Sequence, residues 1–161
     1  MKHKICFVIL LSIMIIFIGC KKNESNPVAP TVVALEDWGT IADNDSTNLG
    51  HLTFKKYSDG SIAVSGIWNH MYQGSTLQSV ISSGTATIAD TIISITIQGT
   101  ATYSGAPPGY NNSAFTENMS GSAYNGKSSG TYTITYSASG WPSNAQGIFT
   151  ATRISGSGIT K

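Results

Sequence analysis

Apolar and polar side chains alternate along most of the chain from His51 onward. Between residues 62 and 68 every second side chain is apolar or glycine, and the same spacing returns at Ile93, Ile95 and Ile97. Successive side chains of a β-strand point to opposite faces, so a period of two predicts strands with one buried face. No segment after residue 20 shows the spacing of an amphipathic helix, and we therefore expect an all-β domain.

Turn-forming dipeptides separate these alternating segments. Asp59-Gly60 and Asn125-Gly126 are strong signals for tight hairpins, and Ala89-Asp90 marks another turn. Residues 31–50 are ambiguous, because 32–35 could form a first strand while Glu36-Asp37 and 43–46 are acidic and typical of turns. Further strands are predicted at 52–57, 62–68, 77–81 with 85–88, 91–103, 114–124, 131–136 and 146–154.

About eight sequential antiparallel strands favour an up-and-down β-barrel, with a β-sandwich as the alternative. Closure of a barrel removes exposed strand edges, and Gly99 would let its long strand bend. The triplet Gly66-Ile67-Trp68 resembles the Gly-x-Trp start of the lipocalin and avidin barrels, the calycins. This resemblance implies a barrel that binds a small ligand in its interior.

The first twenty residues have the layout of a secretory signal. A basic start is followed by an uncharged run from 5 to 18 and by Gly19-Cys20. Phe17-Ile18-Gly19-Cys20 resembles the lipobox of bacterial lipoproteins, which implies cleavage before Cys20 and acylation of that residue. The alternative is a transmembrane helix, but the run is shorter than the roughly 20 residues that a span needs. We therefore expect a signal peptide at 1–19, a lipidated tether at 20–31 and one β domain at 32–161.

This interpretation predicts attachment to the bacterial envelope through the lipid. Lys21 follows the cysteine where some inner-membrane lipoproteins carry Asp, which favours the outer membrane, with the periplasmic face and the cell surface both open. Of the two cysteines, Cys6 would leave with the signal and Cys20 would carry lipid, so no disulfide is expected.

Charge and chemistry exclude several classes of function. Without residues 1–19 the chain has seven basic and eight acidic side chains and no basic cluster, so nucleic acid is not an expected partner. His51, His70 and Glu117 lack the spacing of zinc ligands, and Asp43 with Asp45 lacks the rest of a calcium loop. Nothing resembles a nucleophile with a neighbouring base, so we expect no enzyme, no metal and no cofactor.

Aromatic residues are the most suggestive feature for binding. Candidate ligand-contacting residues are Trp68, Tyr103, Tyr132, Tyr136, Phe149 and Arg153. Aromatic walls with a few polar groups are typical of small-molecule pockets, but these rings could equally fill the core of a small barrel. Tyr110 and Trp141 lie in predicted loops beside prolines and are candidates for partner contact, although either ring could cap a barrel end.

Two functions are compatible with these sequence features. The first is a lipid-anchored envelope protein of structural or interaction type that presents its domain to an envelope or surface protein. The second is a lipocalin-like or avidin-like module that binds a small apolar or saccharide ligand. The sequence favours the first, because it requires fewer specialised residues.

Overall fold

A computed structural model describes residues 28–72, 75–104, 112–141 and 144–161. It contains eight strands, all antiparallel to their neighbours. Their bounds are β1 Val32–Ala42, β2 Leu49–Tyr57, β3 Ile62–Tyr72, β4 Ser75–Ala89, β5 Ile92–Tyr103, β6 Asn112–Tyr124, β7 Lys127–Tyr136 and β8 Ala145–Ser157. Each strand pairs with the next and β8 pairs with β1, which closes the barrel. The predicted up-and-down barrel is thus confirmed, and the sandwich alternative is wrong.

The first strand differs most from the expectation. Glu36 and Asp37 do not form a turn but lie within β1, where they pair with Phe54 and Thr53 of β2. The turn comes later, at 43–48, where Asp43 and Asn44 have φ of 52° and 55°. Two acidic residues suggested a turn because acids are rare in strands, but a barrel strand has one position in two that faces solvent or a polar partner.

One strand in the middle of the chain is longer than predicted. Segments 77–81 and 85–88 are parts of the single strand β4, whose pairing with β5 shifts between Ile81 and Ser83. The irregularity is therefore on β4, opposite Gln98-Gly99, rather than in β5 itself. At Gly99 a Cβ would lie 2.8 Å from the ring of Phe115 and would meet the carbonyl oxygen of Val80, so this glycine permits close approach of the neighbouring strand.

The predicted tight turns are present. Asn125 and Gly126 both have positive φ, 51° and 70°, as a type I′ hairpin requires. Gly60 has φ of 88° after Asp59, whose carboxylate accepts hydrogen bonds from the amide and hydroxyl of Ser61. Asp90, with φ of 58°, turns the chain from β4 into β5. These turns are short because consecutive antiparallel strands need only reverse direction.

The two ends of the barrel are built differently. At one end, here called the latch end, β1 begins, β8 ends and residues 158–161 lie across the tight hairpins. At the other, the loop end, β1, β3, β5 and β7 finish and β2, β4, β6 and β8 begin. Ile159 and Thr160 are buried, and the carbonyl of Lys161 accepts a hydrogen bond of 2.9 Å from the amide of Asn125. The C-terminal residues thus close the latch end.

Side chains fill the half of the interior nearer the latch end. Trp38 packs edge-on against Phe54 with ring centres 6.5 Å apart, among buried isoleucines of β5. A cavity of about 10 Å³ remains between Trp38, Thr40, Leu52, Met119, Ser128 and Phe149. That volume accommodates about one water molecule. This half of the barrel therefore has no room for an organic ligand.

The outer wall has two contrasting sides. Across β5, β6 and β7 most exposed positions between the strand ends carry Thr, Ser, Asn and Gln, with cross-strand hydrogen bonds of 2.9 Å from Thr96 to Asn118 and from Thr102 to Asn112. On the opposite side an apolar patch, defined as Ile41, Leu49, Ile67, Val80 and Ile148, is exposed. Leu49 lies opposite Ile41 and Val80 opposite Ile67 in the strand register, so the patch crosses neighbouring strands. None of the described residues belongs to a helix that is long and apolar enough to cross a membrane.

Candidate functional site

Glu117 is the most unusual side chain in the interior at the loop end. It lies on β6 between Ile97 of β5 and Ile134 of β7, in phase with the buried Phe115 and Met119, and is only 3% exposed. Among the described residues none donates a hydrogen bond to its carboxyl group or forms an ion pair with it. Buried polar groups are almost always hydrogen-bonded, so this carboxyl group is available to a partner from outside the described residues.

Burial raises the pKa of Glu117 from 4.5 to about 8. Removing a carboxylate from water disfavours its charged form, and no donor from the described residues offsets that cost. At neutral pH the carboxyl group therefore keeps its proton and can both donate and accept a hydrogen bond. Burial, and then the charge of Glu117, also raise the pKa of Tyr136.

Tyr132 holds one side of this region. Its hydroxyl donates a 2.7 Å hydrogen bond to Oδ2 of Asp43, whose Oδ1 accepts a 3.0 Å bond from the amide of Ile148. Burial and the hydrogen bond to Asp43 raise the pKa of Tyr132, so its hydroxyl stays protonated and remains the donor. The ring lies 6.3 Å from that of Trp68. The connection after β1 thus fixes an aromatic pair in the interior.

Tyr136 and Trp141 form a second aromatic pair nearer the loop end. Their ring centres are 4.9 Å apart, and Trp141 also contacts Tyr103 edge-on at 6.4 Å. Phe115 lies 6.4 Å from Tyr136 on the barrel side. Trp141 is half-buried and covers these rings, so it caps the barrel rather than standing free in solvent.

Two further polar atoms at the loop end lack a partner among the described residues. Ser79 is 1% exposed on β4, paired in register with Trp68 and Ala101, and its hydroxyl forms no hydrogen bond within the described ranges. The buried Nε1 of Trp141 is likewise without an acceptor in the described part of the chain. Together with Glu117 they give this half of the interior several hydrogen-bonding groups that a ligand or water could satisfy.

The cavity of about 10 Å³ beside Trp38, here called the deep cavity, also contains hydroxyl groups without a partner among the described residues. Thr40 and Ser128 line it, and neither hydroxyl finds a partner among the described residues. A site of this size with two hydroxyl groups suits one water molecule and nothing larger. We therefore place the candidate site at the loop end alone.

Glu36 at the latch end has the opposite environment. Its fully buried carboxylate accepts hydrogen bonds of 3.0 to 3.1 Å from Nε1 of Trp38, Nη1 of Arg153, the amide of Ile159, and the amide and hydroxyl of Thr160. Burial raises its pKa, but the hydrogen bonds from Thr160, Ile159 and Trp38 outweigh this and leave the pKa lowered. Every acceptor position of this carboxylate is occupied, so Glu36 holds the C-terminal residues in place through hydrogen bonds.

The structure separates the residues predicted to bind a ligand. Trp68, Tyr103, Tyr132 and Tyr136 gather at the loop end, but Phe149 lines the deep cavity. Arg153 lies at the latch end in an ion pair with Glu36, so it is not part of the candidate site. Cys20 and Tyr110, together with the side chain of His70, lie outside the described residues.

The sequence interpretation missed Glu36, Ser79, Phe115 and the pair Trp38–Phe54. The sequence did contain a signal for Glu36 and Ser79, because each lies two positions from an apolar residue and therefore on the same strand face. Glu36 precedes Trp38 by two positions, and Ser79 precedes Ile81 by two. A polar side chain on the buried face of a strand must find a partner, which singles it out for attention.

The described ranges contain no group of three His, Cys, Asp or Glu side chains that could hold a metal ion. The chain was also compared with models of protein families, with curated proteins and with solved structures, and nothing matches it.

Proposed function

We propose that this chain is a lipid-anchored protein of the bacterial envelope that presents the loop end of its barrel to a partner. One observation carries the proposal: β1 begins at the latch end, opposite the end at which β1, β3, β5 and β7 finish. A lipid on Cys20 would therefore attach at the latch end, and the loop end would face away from the membrane. The tether 20–31 could reach about 40 Å when fully extended.

The exterior supports an interaction role. The apolar patch reaches from β8 across β1 and β2 to β4, and contiguous exposed apolar surface on an otherwise polar domain is typical of contact sites. The uncharged hydroxyl side of β5 to β7 keeps the rest of the wall hydrated. The proposal includes no catalytic step, no cofactor and no nucleic acid. The outer membrane is the favoured location, at the periplasmic face or the cell surface.

Metabolic labelling with a palmitate analogue tests the anchor. The intact chain should incorporate the label and partition with membranes, and Cys20→Ser should do neither. Cys6→Ser is the matched control, because that residue would leave with the signal peptide. Equal labelling of the Cys20→Ser variant would overturn the lipid anchor.

Orientation is tested on the same material in vesicles. A dye on Asp59→Cys at the latch end should be quenched by headgroup-attached quenchers more strongly than one on Asn44→Cys at the loop end. The reverse order would mean that the loop end faces the membrane, and the presentation model would be wrong.

A second candidate function is binding of a small ligand within the loop end. The hydroxyl of Ser79 and the Nε1 of Trp141, which lack partners among the described residues, and the buried carboxyl group of Glu117 favour it specifically. The resemblance of Gly66-Ile67-Trp68 to calycin barrels is weaker support, because this triplet lies on β3 rather than on the first strand. A thermal-unfolding screen with fatty acids, aromatic compounds, amines and oligosaccharides tests this candidate. A saturable rise in Tm with one class supports it.

A further inference from the structure

We propose that the loop-end interior binds a small organic cation, with Glu117 as its counter-ion and the rings of Tyr132, Tyr136 and Trp141 around it. The inference rests on the ligand-binding candidate and is independent of the lipid anchor. It assigns the chemical class of ligand that this interior would accept.

The strand register brings the carboxyl group between two tyrosines. Glu117 lies directly opposite Ile134, so Tyr132 and Tyr136 are its two diagonal neighbours on the same face. Diagonal residues in an antiparallel pair lie about 7–8 Å apart, within reach of aromatic side chains. Both tyrosines respond electrostatically to the charge of Glu117.

The ring of each tyrosine contacts a second aromatic ring. Tyr132 contacts Trp68, and Tyr136 contacts Trp141. The carboxyl group is therefore flanked by an aromatic pair on either side along the barrel axis. Aromatic faces carry negative potential and attract cations, most strongly where water is excluded.

The described residues supply no cation at this point. No described Lys, Arg or His side chain pairs with Glu117, and the single arginine of the sequence is committed to Glu36 at the opposite end. The contrast between the two glutamates is informative. Glu36 is equally buried but accepts five hydrogen bonds, as a structural carboxylate requires, whereas Glu117 accepts none from the described residues.

A neutral ligand would satisfy this arrangement less well. Hydrogen bonding to a protonated Glu117 would leave the surrounding aromatic faces to ordinary apolar contact. A cation uses both the carboxylate charge and the rings. The hydroxyl of Ser79 and the Nε1 of Trp141 then remain for polar atoms elsewhere on the ligand.

Proton linkage follows from this arrangement. Burial raises the pKa of Glu117 to about 8, and a bound cation would favour the ionised form. Binding should therefore release a proton below pH 8 and weaken by up to about tenfold for each pH unit. Among the described residues, Tyr132 and Tyr136 also face this region, and they do not mimic the effect because the raised pKa of each keeps it protonated. The carboxylate of Asp43 accepts hydrogen bonds from Tyr132 and Ile148 on the other side of Tyr132.

Isothermal titration calorimetry on the full chain in detergent tests the inference. The probes are choline, tetramethylammonium and the neutral choline isostere 3,3-dimethylbutan-1-ol, each at pH 6.5 and pH 8.5 in two buffers that differ in ionisation enthalpy. We expect saturable binding of the cations, tighter at pH 8.5, with proton release at pH 6.5 and at least tenfold weaker binding of the neutral isostere.

Two variants distinguish a loss of ligand binding from a loss of folding. Glu117→Gln should weaken choline binding at least tenfold and abolish proton release. Met119→Leu, at the next interior position of β6, is the matched control and should bind like the parent chain. Circular dichroism melts establish that both variants are folded.

The possible failures point to different conclusions. If the neutral isostere binds as tightly as choline, or if Glu117→Gln binds choline unchanged, the cation assignment is wrong and the ligand-binding candidate stands. If the folded protein binds neither the charged nor the neutral probe, and the wider thermal screen also shows no shift, both are wrong. The lipid-anchor proposal is unaffected in either case.

Discussion

Two glutamates on buried strand faces show how strongly the environment of a residue determines its chemistry. Glu36 is surrounded by five donors, and its pKa is lowered despite burial. Glu117 has no donor among the described residues, and burial raises its pKa to about 8. The side chains are identical and both lie in barrel strands. Hydrogen bonds outweigh desolvation at Glu36, whereas desolvation is the cause that raises the pKa of Glu117.

The raised pKa of Glu117 predicts a stability difference that depends on pH. In the unfolded chain Glu117 ionises above about 4.5, whereas in the folded chain it keeps its proton up to about 8. Its contribution to stability is therefore fully present below pH 4.5 and is lost as the pH rises towards 8. Glu117→Gln cannot ionise, so it should match the parent chain near pH 4 and exceed it by a few kcal/mol near pH 8.

Urea unfolding of both proteins from pH 4 to pH 9 measures this difference. Subtracting one curve from the other cancels all other titrating groups. A difference that does not change with pH would show that Glu117 is not desolvated in the folded state.

Gly99 gives a second prediction at this scale. A Cβ at this position meets the carbonyl of Val80 and the ring of Phe115, so Gly99→Ala should force β4 and β5 apart. We expect a loss of about 1–3 kcal/mol in the free energy of unfolding, as for other overpacked sites. Thr100→Ala, one residue along and exposed, is the control. A loss no greater than that of the control would mean that the strands accommodate the methyl group.

At the scale of elements, residues 158–161 act as a latch. They follow β8 and lie across the end of the barrel, where Ile159 and Thr160 bind Glu36 and Lys161 forms an ion pair with Asp90. Asp37, beside Glu36 on β1, accepts hydrogen bonds of 2.7 Å from Thr53 on β2 and 3.0 Å from Ser155 on β8. Polar groups thus join the closing strands of the barrel where β1 meets β8.

Glu36→Gln tests the latch. An amide oxygen cannot accept all five hydrogen bonds, and the amide nitrogen would face other donors, so we expect a loss of about 3 kcal/mol. The lowered pKa of Glu36 adds a pH dependence: its contribution is present above about 4.5 and is lost as the pH falls through the lower folded value. The parent chain should therefore lose its advantage over the variant in acid.

Thermal unfolding of both proteins between pH 2 and pH 7 checks this. Asp59→Asn, which removes an exposed acid from a nearby hairpin, is the comparison and should have a small effect. If Glu36→Gln is no worse than that variant at pH 7, the latch does not stabilise the fold.

At the scale of the whole molecule, the barrel has a filled half and a loop end where the buried Ser79 and Trp141 lack partners among the described residues. Closure removes free strand edges, so association with other molecules must use the loop end or the outer wall rather than edge pairing. The three tryptophans report on this division. Trp38 and Trp68 are 3% and 1% exposed in the interior, whereas Trp141 is half-buried at the loop end.

Acrylamide quenching of tryptophan fluorescence tests the division. In the parent chain the quenchable emission should come from Trp141, and Trp141→Phe should remove it with little change in the melting temperature. Retained quenching in this variant would mean that the interior opens to solvent. Choline at saturating concentration should protect Trp141, which gives an optical readout of the proposed site.

Much of the architecture followed from the alternation of side chains. In β5 the residues Ile93, Ile95 and Ile97 alternate with Ser94 and Thr96, and only one face of such a strand can be buried. The turns were equally local, since Asn125-Gly126 prefers the conformation of a tight hairpin in any sequence context. Local preferences and the period of two therefore sufficed for most of the strands and favoured the up-and-down barrel over the sandwich, whereas its closure through the β1–β8 pairing came from the structure.

The candidate site depended on contacts that are distant in the chain. Asp43 and Tyr132 are 89 residues apart, and Glu36 and Thr160 are 124 apart, yet each pair is joined by hydrogen bonds. Single-strand patterns place a side chain on a face but not beside a particular partner, because register and closure decide which residues meet. The sequence by itself thus determined which side chains point inward, and only the tertiary structure decided that Glu36 is locked while Glu117 lies among aromatic rings with no described partner.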